Sequence, residues 1–393
     1  MMDVKWFYCL VAVLHLITAA QLCYAGESRF PGSMKKIEVL KHLNRLNKRP
    51  VKSIKMRPTY HPSWVKDDNF NTDTSSSSSE EITQLWHSNG KCPKGTIPIL
   101  RTNEEDVLRA DSINSYGKKK KKSSFPVARP SSINPEVSNV SKDHEYATAN
   151  TYKGIYYGAK ARFNIWNPYV QEHNEFSLSQ VWIQSGSDSD LNTIEAGWQV
   201  APQYGDTKTR LFIYWTRDGY QTTGCYNLKC SGFVQTNNEI AIGASISPTS
   251  RFNSSQYGIT ILIWKDRKEA DWWLQIGDGL DAKIIGYWPA SLFSYLSESA
   301  SVVAWGGEVI NQRSGGQHTT TQMGSGYFPQ EGFGKASFIR NIQTVDETNT
   351  LTTPQDLNTY TSQKSCYDIV KGLTDNWGSY IFFGGPGRNK NCP

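Results

Sequence analysis

Two glutamates occupy strand positions that usually carry an apolar or a small residue. Glu195 lies in the segment LNTIEAGWQV, and Glu308 lies in SVVAWGGEVI. Because side chains alternate along a strand, Gly197 shares a face with Glu195, and Gly306 shares a face with Glu308. A carboxylate among apolar neighbours is costly unless it is paired or protonated, and two such carboxylates can perform acid/base catalysis.

Other catalytic groups are sparse in the β-rich part of the chain. Its histidines, His144, His173 and His318, form no helical His-x-x-x-His pair, and the chain has no Gly-x-Ser-x-Gly elbow. These absences disfavour a Ser-His-Asp hydrolase and a zinc enzyme, and we expect no metal and no cofactor. Alternation alone leaves two readings open for Glu195 and Glu308, a catalytic pair or two carboxylates on a solvated strand face.

The elements that would position these residues are β-strands. From about residue 146, short runs rich in Val, Ile, Tyr, Trp and Phe alternate with Gly, Asn, Asp and Pro, and ten of the thirteen tryptophans lie beyond residue 131. Many short strands at regular spacing predict an all-β fold, an antiparallel sandwich or barrel. Short helices are expected near residues 289–298 and 367–373. We expect residues 131–393 to form one jelly-roll-like β-sandwich domain.

The first 25 residues have the pattern of a secretory signal peptide. Lys5 precedes an apolar run from Trp6 to Ala20, and small residues at 23 and 25 suit a cleavage site. An uncleaved membrane anchor is the alternative, although the run is short for a membrane span. We therefore expect a secreted, extracellular protein that is not embedded in a membrane.

Residues 26–130 are expected to form a small pro-domain with flexible linkers. Residues 35–49 have the apolar spacing of an amphipathic helix, and residues 73–79 are a Ser-rich linker. The five lysines at 118–122 are interpreted as an exposed, protease-sensitive linker.

Charge is distributed unevenly between these parts. Residues 26–130 hold 21 basic and 11 acidic residues, a net charge of +10, whereas residues 131–393 hold 20 and 24, a net charge of −4. Opposite signs suggest either a basic interaction tail or two parts that dock on each other. A nucleic-acid partner is disfavoured, because the basic residues are not interleaved with stacking aromatic residues.

Cysteines and glycosylation sequons agree with an oxidising compartment. Four late cysteines allow three pairings, of which proximity favours Cys225–Cys230 and Cys366–Cys392, and Cys92 is left over. Sequons for N-glycosylation occur at Asn139 and Asn253.

Several motifs in the β-rich part resemble those of the plant neprosin family of secreted glutamic peptidases. They occur in the same order as in that family, at 176–182 (FSLSQVW), 194–200 (IEAGWQV), 219–230 (GYQTTGCYNLKC), 286–289 (GYWP), 305–308 (WGGE) and 323–326 (MGSG). Residues 35–101 resemble the family's activation peptide, above all at 92–101 (CPKGTIPILR). Activation peptides of that family usually have an Asp-Gly-Asp segment and a further cysteine upstream. Residues 56–64 have neither, so Cys92 lacks its expected partner.

The resemblance implies a zymogen whose activation peptide covers a β-sandwich peptidase and is removed in acid. It implies that Glu195 and Glu308 form the catalytic dyad, and that cleavage follows proline in a peptide or protein substrate. The chain's own activation peptide would be the intramolecular inhibitor, and we expect a monomer. Two other functions fit the same carboxylates or the same fold, a glycoside hydrolase and a non-catalytic apoplastic binding protein.

Two glutamates can hydrolyse a peptide bond if one is ionised and the other protonated. The ionised group takes a proton from water, and the protonated group donates to the substrate. The sequence gives only a slight preference for Glu195 as the base. Gln180 and Gln199 are candidate orienting groups, or polar residues satisfied within the sheet. Candidates for a proline-sized slot, which could equally be core residues, are Trp198, Tyr287, Trp288 and Trp305, with Gly306 leaving room for a substrate backbone.

Overall fold

The structure is a computed structural model that describes residues 31–53, 83–110, 112–119 and 143–393. The predicted signal peptide, the Ser-rich linker and Asn139 lie outside these ranges. Two compact units are present, one formed by Met1–Arg49 with Arg101–Tyr116 and the other by Pro50–Leu100 with Gly117–Pro393. In the part of the chain that the structure describes, no helix is long and apolar enough to cross a membrane.

The smaller unit contains two helices. Helix α1 spans Pro31–Leu46 and α2 spans Glu104–Leu108. Asn103 caps α2, because its side chain accepts a hydrogen bond from the backbone amide of Asp106. The side chain of Asp106 in turn accepts one from the backbone amide of Asn103. These reciprocal bonds satisfy two amide groups that the helix itself leaves unpaired.

The larger unit is built from seventeen strands among the described residues. In chain order they are β1 (Thr83–Gln84), β2 (His144–Asn150), β3 (Gly158–Asn164), β4 (Ser177–Ser185), β5 (Asn192–Val200), β6 (Arg210–Thr216), β7 (Val234–Gln235), β8 (Ile246–Ser247), β9 (Gly258–Lys265), β10 (Trp272–Ile276), β11 (Lys283–Trp288), β12 (Val302–Ile310), β13 (Ser337–Val345), β14 (Leu351–Thr352), β15 (Asn358–Thr361), β16 (Asp368–Thr374) and β17 (Gly378–Gly384).

These strands form two large antiparallel sheets and one small one. A six-stranded sheet has the order β15-β2-β12-β4-β5-β6, and a nine-stranded sheet has the order β16-β17-β13-β3-β9-β10-β11-β7, with β14 paired to β13. Strands β1 and β8 pair separately. The predicted antiparallel β-sandwich is therefore confirmed.

The main core lies between the two large sheets. Alternate residues of the six-stranded sheet, such as Val181, Ala196 and Trp305, pack in one cluster with residues of the nine-stranded sheet, such as Phe163 and Ile261. Burial of this apolar surface is the main stabilising contribution to such a sandwich. The other face of the six-stranded sheet is left to position the two glutamates.

The prediction of two short helices in this part of the chain is wrong. Residues 368–374 form strand β16, which pairs with β17 along its whole length. In residues 289–298 only Ala290–Leu292 forms a helical turn, of the 3-10 type. Partners across a sheet outweighed local propensity at residues 368–374.

Both predicted cysteine pairs are disulfides in the structure, Cys225–Cys230 and Cys366–Cys392. Cys92 is a free thiol and packs beside Trp86, Ala241 and Ala244.

Candidate active site

Strand register brings Glu195 and Glu308 to the same face of the six-stranded sheet. Glu308 on β12 lies opposite Leu178 of β4, and Glu195 on β5 lies opposite Trp182 of the same strand. Gln180 lies between these two positions, flanked by Gly306 on one side and Gly197 on the other. Directly opposite residues share a face, so the carboxylates stand diagonally across Gln180. Both are buried.

The two glycines have a different purpose from the one expected. A Cβ on Gly197 would lie 2.0 Å from the carbonyl oxygen of Ser179, and one on Gly306 would lie 2.1 Å from that of Ala147. Gly306 also has φ of +151°, which side chains rarely adopt. Glycine is therefore needed for the close approach of neighbouring strands rather than for a low floor beneath a substrate.

Glu195 is held by three neutral donors. The hydroxyls of Thr193 (2.9 Å) and Tyr220 (2.8 Å) donate to Oε1, and Nε2 of Gln180 donates to Oε2 at 2.8 Å. The proposed orienting contact from Gln180 is thus present. Gln199 makes no such contact, since its Oε1 accepts from the hydroxyl of Tyr204 at 3.4 Å.

Glu308 is held by a histidine and a tyrosine. Nδ1 of His144 lies 2.5 Å from Oε1, and the hydroxyl of Tyr146 donates to the same oxygen at 3.3 Å. Both partners come from β2, which pairs with β12 and brings alternate side chains to the same face. Sequence reasoning missed His144 because it was searched only for metal and serine-hydrolase patterns.

Lys119 joins the two carboxylates. Its Nζ lies 2.6 Å from Oε2 of Glu195 and 3.5 Å from Oε2 of Glu308, and all three side chains are almost completely buried. The interpretation of the lysine run as an exposed linker is therefore wrong for Lys119, because the carboxylate pair compensates its charge away from water. Lys118 is exposed as expected, and residues 120–122 lie outside the described ranges.

Four further contacts fix the segment 117–119 over the site. The backbone amide of Tyr226 donates to the carbonyl oxygen of Gly117 at 2.7 Å, and Nζ of Lys118 donates to that of Thr222 at 3.0 Å. The ammonium of Lys119 stands over the rings of Tyr214 and Tyr220, at 5.3 and 5.4 Å from their centroids. Such cation–π contacts add to the ion pairs.

Charges in the site move pKa values in opposite directions. Burial alone would raise the pKa of Glu308, but the Lys119 ammonium and then His144 outweigh it, and this pKa is lowered. Burial alone would lower the pKa of Lys119, but the two carboxylates outweigh it, and this pKa is raised. Burial, reinforced by the nearby carboxylates, raises the pKa of Tyr146 and Tyr220, so both remain hydrogen-bond donors.

Aromatic side chains surround the carboxylates, but they are not the ones expected. Trp198, Trp288 and Trp305 are fully buried in the core between the sheets, on the faces turned away from Glu195 and Glu308. Tyr287 is half-buried on β11 of the other large sheet, with its ring 4.7 Å from that of Trp273. The predicted slot lined by these four residues is therefore wrong.

A second buried cluster supplies the aromatic surroundings instead. It includes Tyr146, Trp182, Tyr214, Tyr220 and Tyr226. Sequence patterning could not choose between the two sets, because both faces of the sheet carry large aromatic residues.

Several buried polar side-chain atoms of the described residues on the same face make no hydrogen bond. Within the described ranges, buried side-chain atoms without a hydrogen-bond partner occur in Thr148, Asn150, Gln180 and Gln184. All four belong to the face that carries the glutamates, by the alternation of β2 and β4. A chain laid across this face would meet donors and acceptors as well as aromatic rings.

Among the described residues, one cluster brings possible metal ligands together, and it is not suited to binding a metal. Donor atoms of His318, Cys366 and Cys392 lie within 4.8 Å of one another. The two sulfurs form a disulfide and offer no thiolate. Nε2 of His318 is instead 2.9 Å from Oε2 of Glu145.

Two buried carboxylates on an antiparallel sandwich, bridged by a lysine from the N-terminal part, form a pair of groups that can perform acid/base chemistry. Residues 173–386 match the family model described as Neprosin, and residues 49–150 match the Neprosin activation peptide. The chain belongs to the neprosin family, and it is a peptidase with an activation peptide.

Two peptidases are among the solved structures to which the chain is similar. Scytalido-glutamic peptidase with a peptide-based transition-state analogue matches with 10% identity and a TM-score of 0.34, over 62% of this chain and 98% of that chain. SCP-B of the Eqolisin family, in complex with the tripeptide Ala-Ile-His, matches with 10% identity and a TM-score of 0.32 over the same shares.

Proposed function

We propose that the protein is a secreted glutamic endopeptidase, made as an inactive precursor, that uses Glu195 and Glu308 to cleave peptide bonds after proline at acidic pH. The observation that carries this proposal is the position of the Lys119 ammonium. The Oε2 atoms of Glu195 and Glu308 lie 2.6 and 3.5 Å from Nζ of Lys119, so both atoms face the point that this nitrogen occupies. A water molecule at that point would contact both carboxylates once Lys119 has left.

The reaction needs one proton on the pair. The ionised glutamate takes a proton from the water as the water oxygen attacks the peptide carbonyl carbon. The protonated glutamate donates to the carbonyl oxygen and stabilises the developing negative charge. The tetrahedral intermediate then collapses, the C–N bond breaks, and a proton passes to the amine nitrogen. The products are a carboxyl and an amine, and the pair again holds one proton.

Gln180 supports the reaction by fixing one member of the pair. Its Nε2 donates to Oε2 of Glu195, the oxygen that faces the reacting point. The second hydrogen of this amide is free to donate to a substrate carbonyl. A buried amide held between two glycines loses little freedom when substrate binds.

Peptide substrates suit the polar and aromatic character of this face. The unpaired atoms of Thr148, Asn150 and Gln184 could bond a peptide backbone, whereas a sugar polymer has no regular amide groups for them. The rings of Tyr214 and Tyr220 flank the Lys119 ammonium. After its release the same rings could pack against a proline ring.

Lys119 would keep the precursor inactive by occupying the site of the water. Carboxylate protonation in acid would weaken both ion pairs and release the segment. Candidate self-processing sites are Pro126, Pro130 and Pro135, which lie outside the described residues. Passage through the secretory route agrees with Asn253, the described glycosylation sequon, which is exposed.

The dyad is tested by Glu195→Gln and Glu308→Gln, with Glu347→Gln, an exposed loop residue, as the control. A site-specific protease sequence inserted between residues 130 and 131 would mature all variants alike. On a fluorogenic proline-containing peptide at acidic pH, kcat should fall at least about 100-fold in both dyad variants. It should stay within about twofold of wild type in the control.

The same preparations would test the other functions. A matched peptide with alanine in place of proline should be cleaved more slowly, and a polysaccharide should release no reducing sugar. Peptide cleavage that persists in both dyad variants, or sugar release that depends on them, would contradict the proposal. Amino-terminal sequencing after acid incubation of unmodified precursor should show no processing in Glu195→Gln if maturation is autocatalytic.

A further inference from the structure

Histidine distinguishes Glu308 from Glu195. Nδ1 of His144 lies 2.5 Å from Oε1 of Glu308, and both side chains are buried. Glu195 receives only neutral donors apart from Lys119, namely Thr193, Gln180 and Tyr220. Lys119 belongs to the activation peptide, so among the described residues the mature site keeps a group that can carry positive charge beside Glu308 only.

The groups that face His144 are few. On its own strand the ring of Tyr146 lies 6.4 Å away, and ahead of β4 the ring of Phe176 lies 5.9 Å away, edge-on. From β12 it meets Glu308, and Lys119 reaches the other oxygen of that carboxylate. The neighbouring carboxylate of Glu145 points to the opposite face, where it pairs with His318 and, at 3.9 Å, with Arg313.

We propose that His144 is the positioning residue that keeps Glu308 ionised in the mature enzyme, so that Glu308 is the general base and Glu195 holds the shared proton. An imidazole is cationic in the acid range, and an ionised carboxylate is its favoured partner in a buried site. This assignment rests on the proposed function. It reverses the slight preference for Glu195 as the base that was expected from the sequence.

Charge balance leads to the same assignment. In the precursor, the Lys119 ammonium stands between the two carboxylates, and His144 contacts Glu308 only. Departure of Lys119 removes one positive charge, so a buried site that stays neutral takes up one proton. His144 remains beside Glu308, and the incoming proton therefore goes to Glu195.

The protonated Glu195 is well placed to act as the acid. Its Oε1 accepts from two hydroxyls, those of Thr193 and Tyr220, whereas Oε2 accepts only from Gln180 once Lys119 has left, so Oε2 is the oxygen that carries the proton. This is the oxygen that faces the reacting point. The acidic proton is then available to the substrate carbonyl rather than to the protein.

His144→Asn is the variant that separates charge from hydrogen bonding. The asparagine amide can place a donor near the position of Nδ1 but carries no charge. His318→Gln is the control, because it removes the imidazole from another buried histidine–carboxylate pair that does not touch the dyad. Both variants would be matured through the inserted protease site, and kcat and KM would be measured from pH 3 to 8 on the fluorogenic peptide.

The acid limb of the kcat profile should move up by about one pH unit in His144→Asn, since an adjacent positive charge lowers a carboxyl pKa by about 1–3 units. On that limb kcat would be about tenfold below wild type at the same pH. At the optimum kcat should stay within about threefold, and KM should be unchanged. His318→Gln should keep the wild-type limb.

The amide variants test the assignment of roles separately. Glutamine at 195 can still donate to the carbonyl oxygen, but glutamine at 308 cannot accept a proton from water. Glu308→Gln should therefore lose about tenfold more kcat than Glu195→Gln.

Each failure has its own signature. A wild-type acid limb in His144→Asn, an equal shift in His318→Gln, or a larger loss in Glu195→Gln would overturn the inference while leaving the dyad intact. Full activity in both amide variants would instead overturn the proposed function itself.

Discussion

Lys119 places a positive charge where the proposed reaction places its water molecule. Its ammonium contacts both carboxylates of the precursor, and the raised pKa of this lysine keeps it cationic throughout the working range. The lowered pKa of Glu308 sets the direction of the acid response. Its contribution to the closed precursor is fully present above the ordinary value of 4.5 and is lost as pH falls through the lowered pKa.

Lys119→Met tests whether the ion pairs of Lys119 hold the precursor closed, since methionine is similar in length to lysine and uncharged. Removing one partner of a buried ion pair costs about 3 kcal/mol, so the closed arrangement should be weakened. We expect this precursor to mature at least about tenfold faster than wild type at pH 5–6. Gel electrophoresis, which separates the precursor from the mature form, would measure the rate.

Lys118→Met is the matched control, because Lys118 is exposed and bonds only a backbone carbonyl at Thr222. Its maturation rate should equal that of wild type. Equal rates for Lys119→Met and wild type would show that the ion pairs do not hold the precursor closed.

The alternation of side chains along strands accounts for the part of the site that could be predicted from the sequence. Alternation along β5 and β12 placed each glutamate correctly relative to its glycine, and Gln180 was predicted as a partner. Lys119 could not be predicted, since a run of lysines is usually solvated and only tertiary contacts reveal one that is buried. Trp198 and Trp305 were misassigned because apolar residues line both faces of the sheet, and the pattern does not say which face is the core.

Gly197→Ala tests the close packing of β4 and β5. The added Cβ would lie 2.0 Å from the Ser179 carbonyl oxygen and 2.6 Å from Cβ of Gln180, so the strands must separate. Overpacking of this kind costs about 1–3 kcal/mol, and it displaces the glutamine that holds Glu195. We expect the melting temperature to fall by about 4–10 °C and kcat to fall at least about tenfold, measured by calorimetry and peptide cleavage.

Gly315→Ala is the comparison for a change of the same type at a loop glycine. Its added Cβ meets nothing within 4 Å, although its φ of +67° carries some strain. This variant should lose less melting temperature than Gly197→Ala and should keep its kcat. The reverse order would contradict the role assigned to Gly197.

In the whole molecule, part of the activation peptide is integral to the sandwich unit. Strand β1 pairs with β8, Trp86 packs against Ala241 and Ala244, and the side-chain amide of Gln84 bonds both backbone groups of Ala241 at 2.7 and 2.8 Å. The segment 117–119 covers the dyad within the same unit. Release of Lys119 is therefore opposed by contacts far along the chain from it.

Gln84→Ala should weaken that anchoring. It leaves the buried backbone amide of Ala241 unpaired and its carbonyl with only the longer bond from the Ala244 amide at 3.3 Å, at a cost of about 1–3 kcal/mol. The pH at which half of the precursor matures in a fixed time should move upward. Ser88→Ala, which removes only local bonds with the Leu85 carbonyl and the Asn89 side chain, should leave this pH unchanged. An unchanged pH in Gln84→Ala would show that β1 does not contribute to latency.

The most direct test of the central claim is the pH dependence of kcat for the mature wild-type enzyme on a proline-containing peptide. Two coupled carboxyls that work only while they hold one proton predict a bell-shaped profile in the acid range. Activity should rise as pH falls from neutral, pass through a maximum, and fall again when the second carboxylate is protonated. A rate that stays flat from acid to neutral pH would contradict the account.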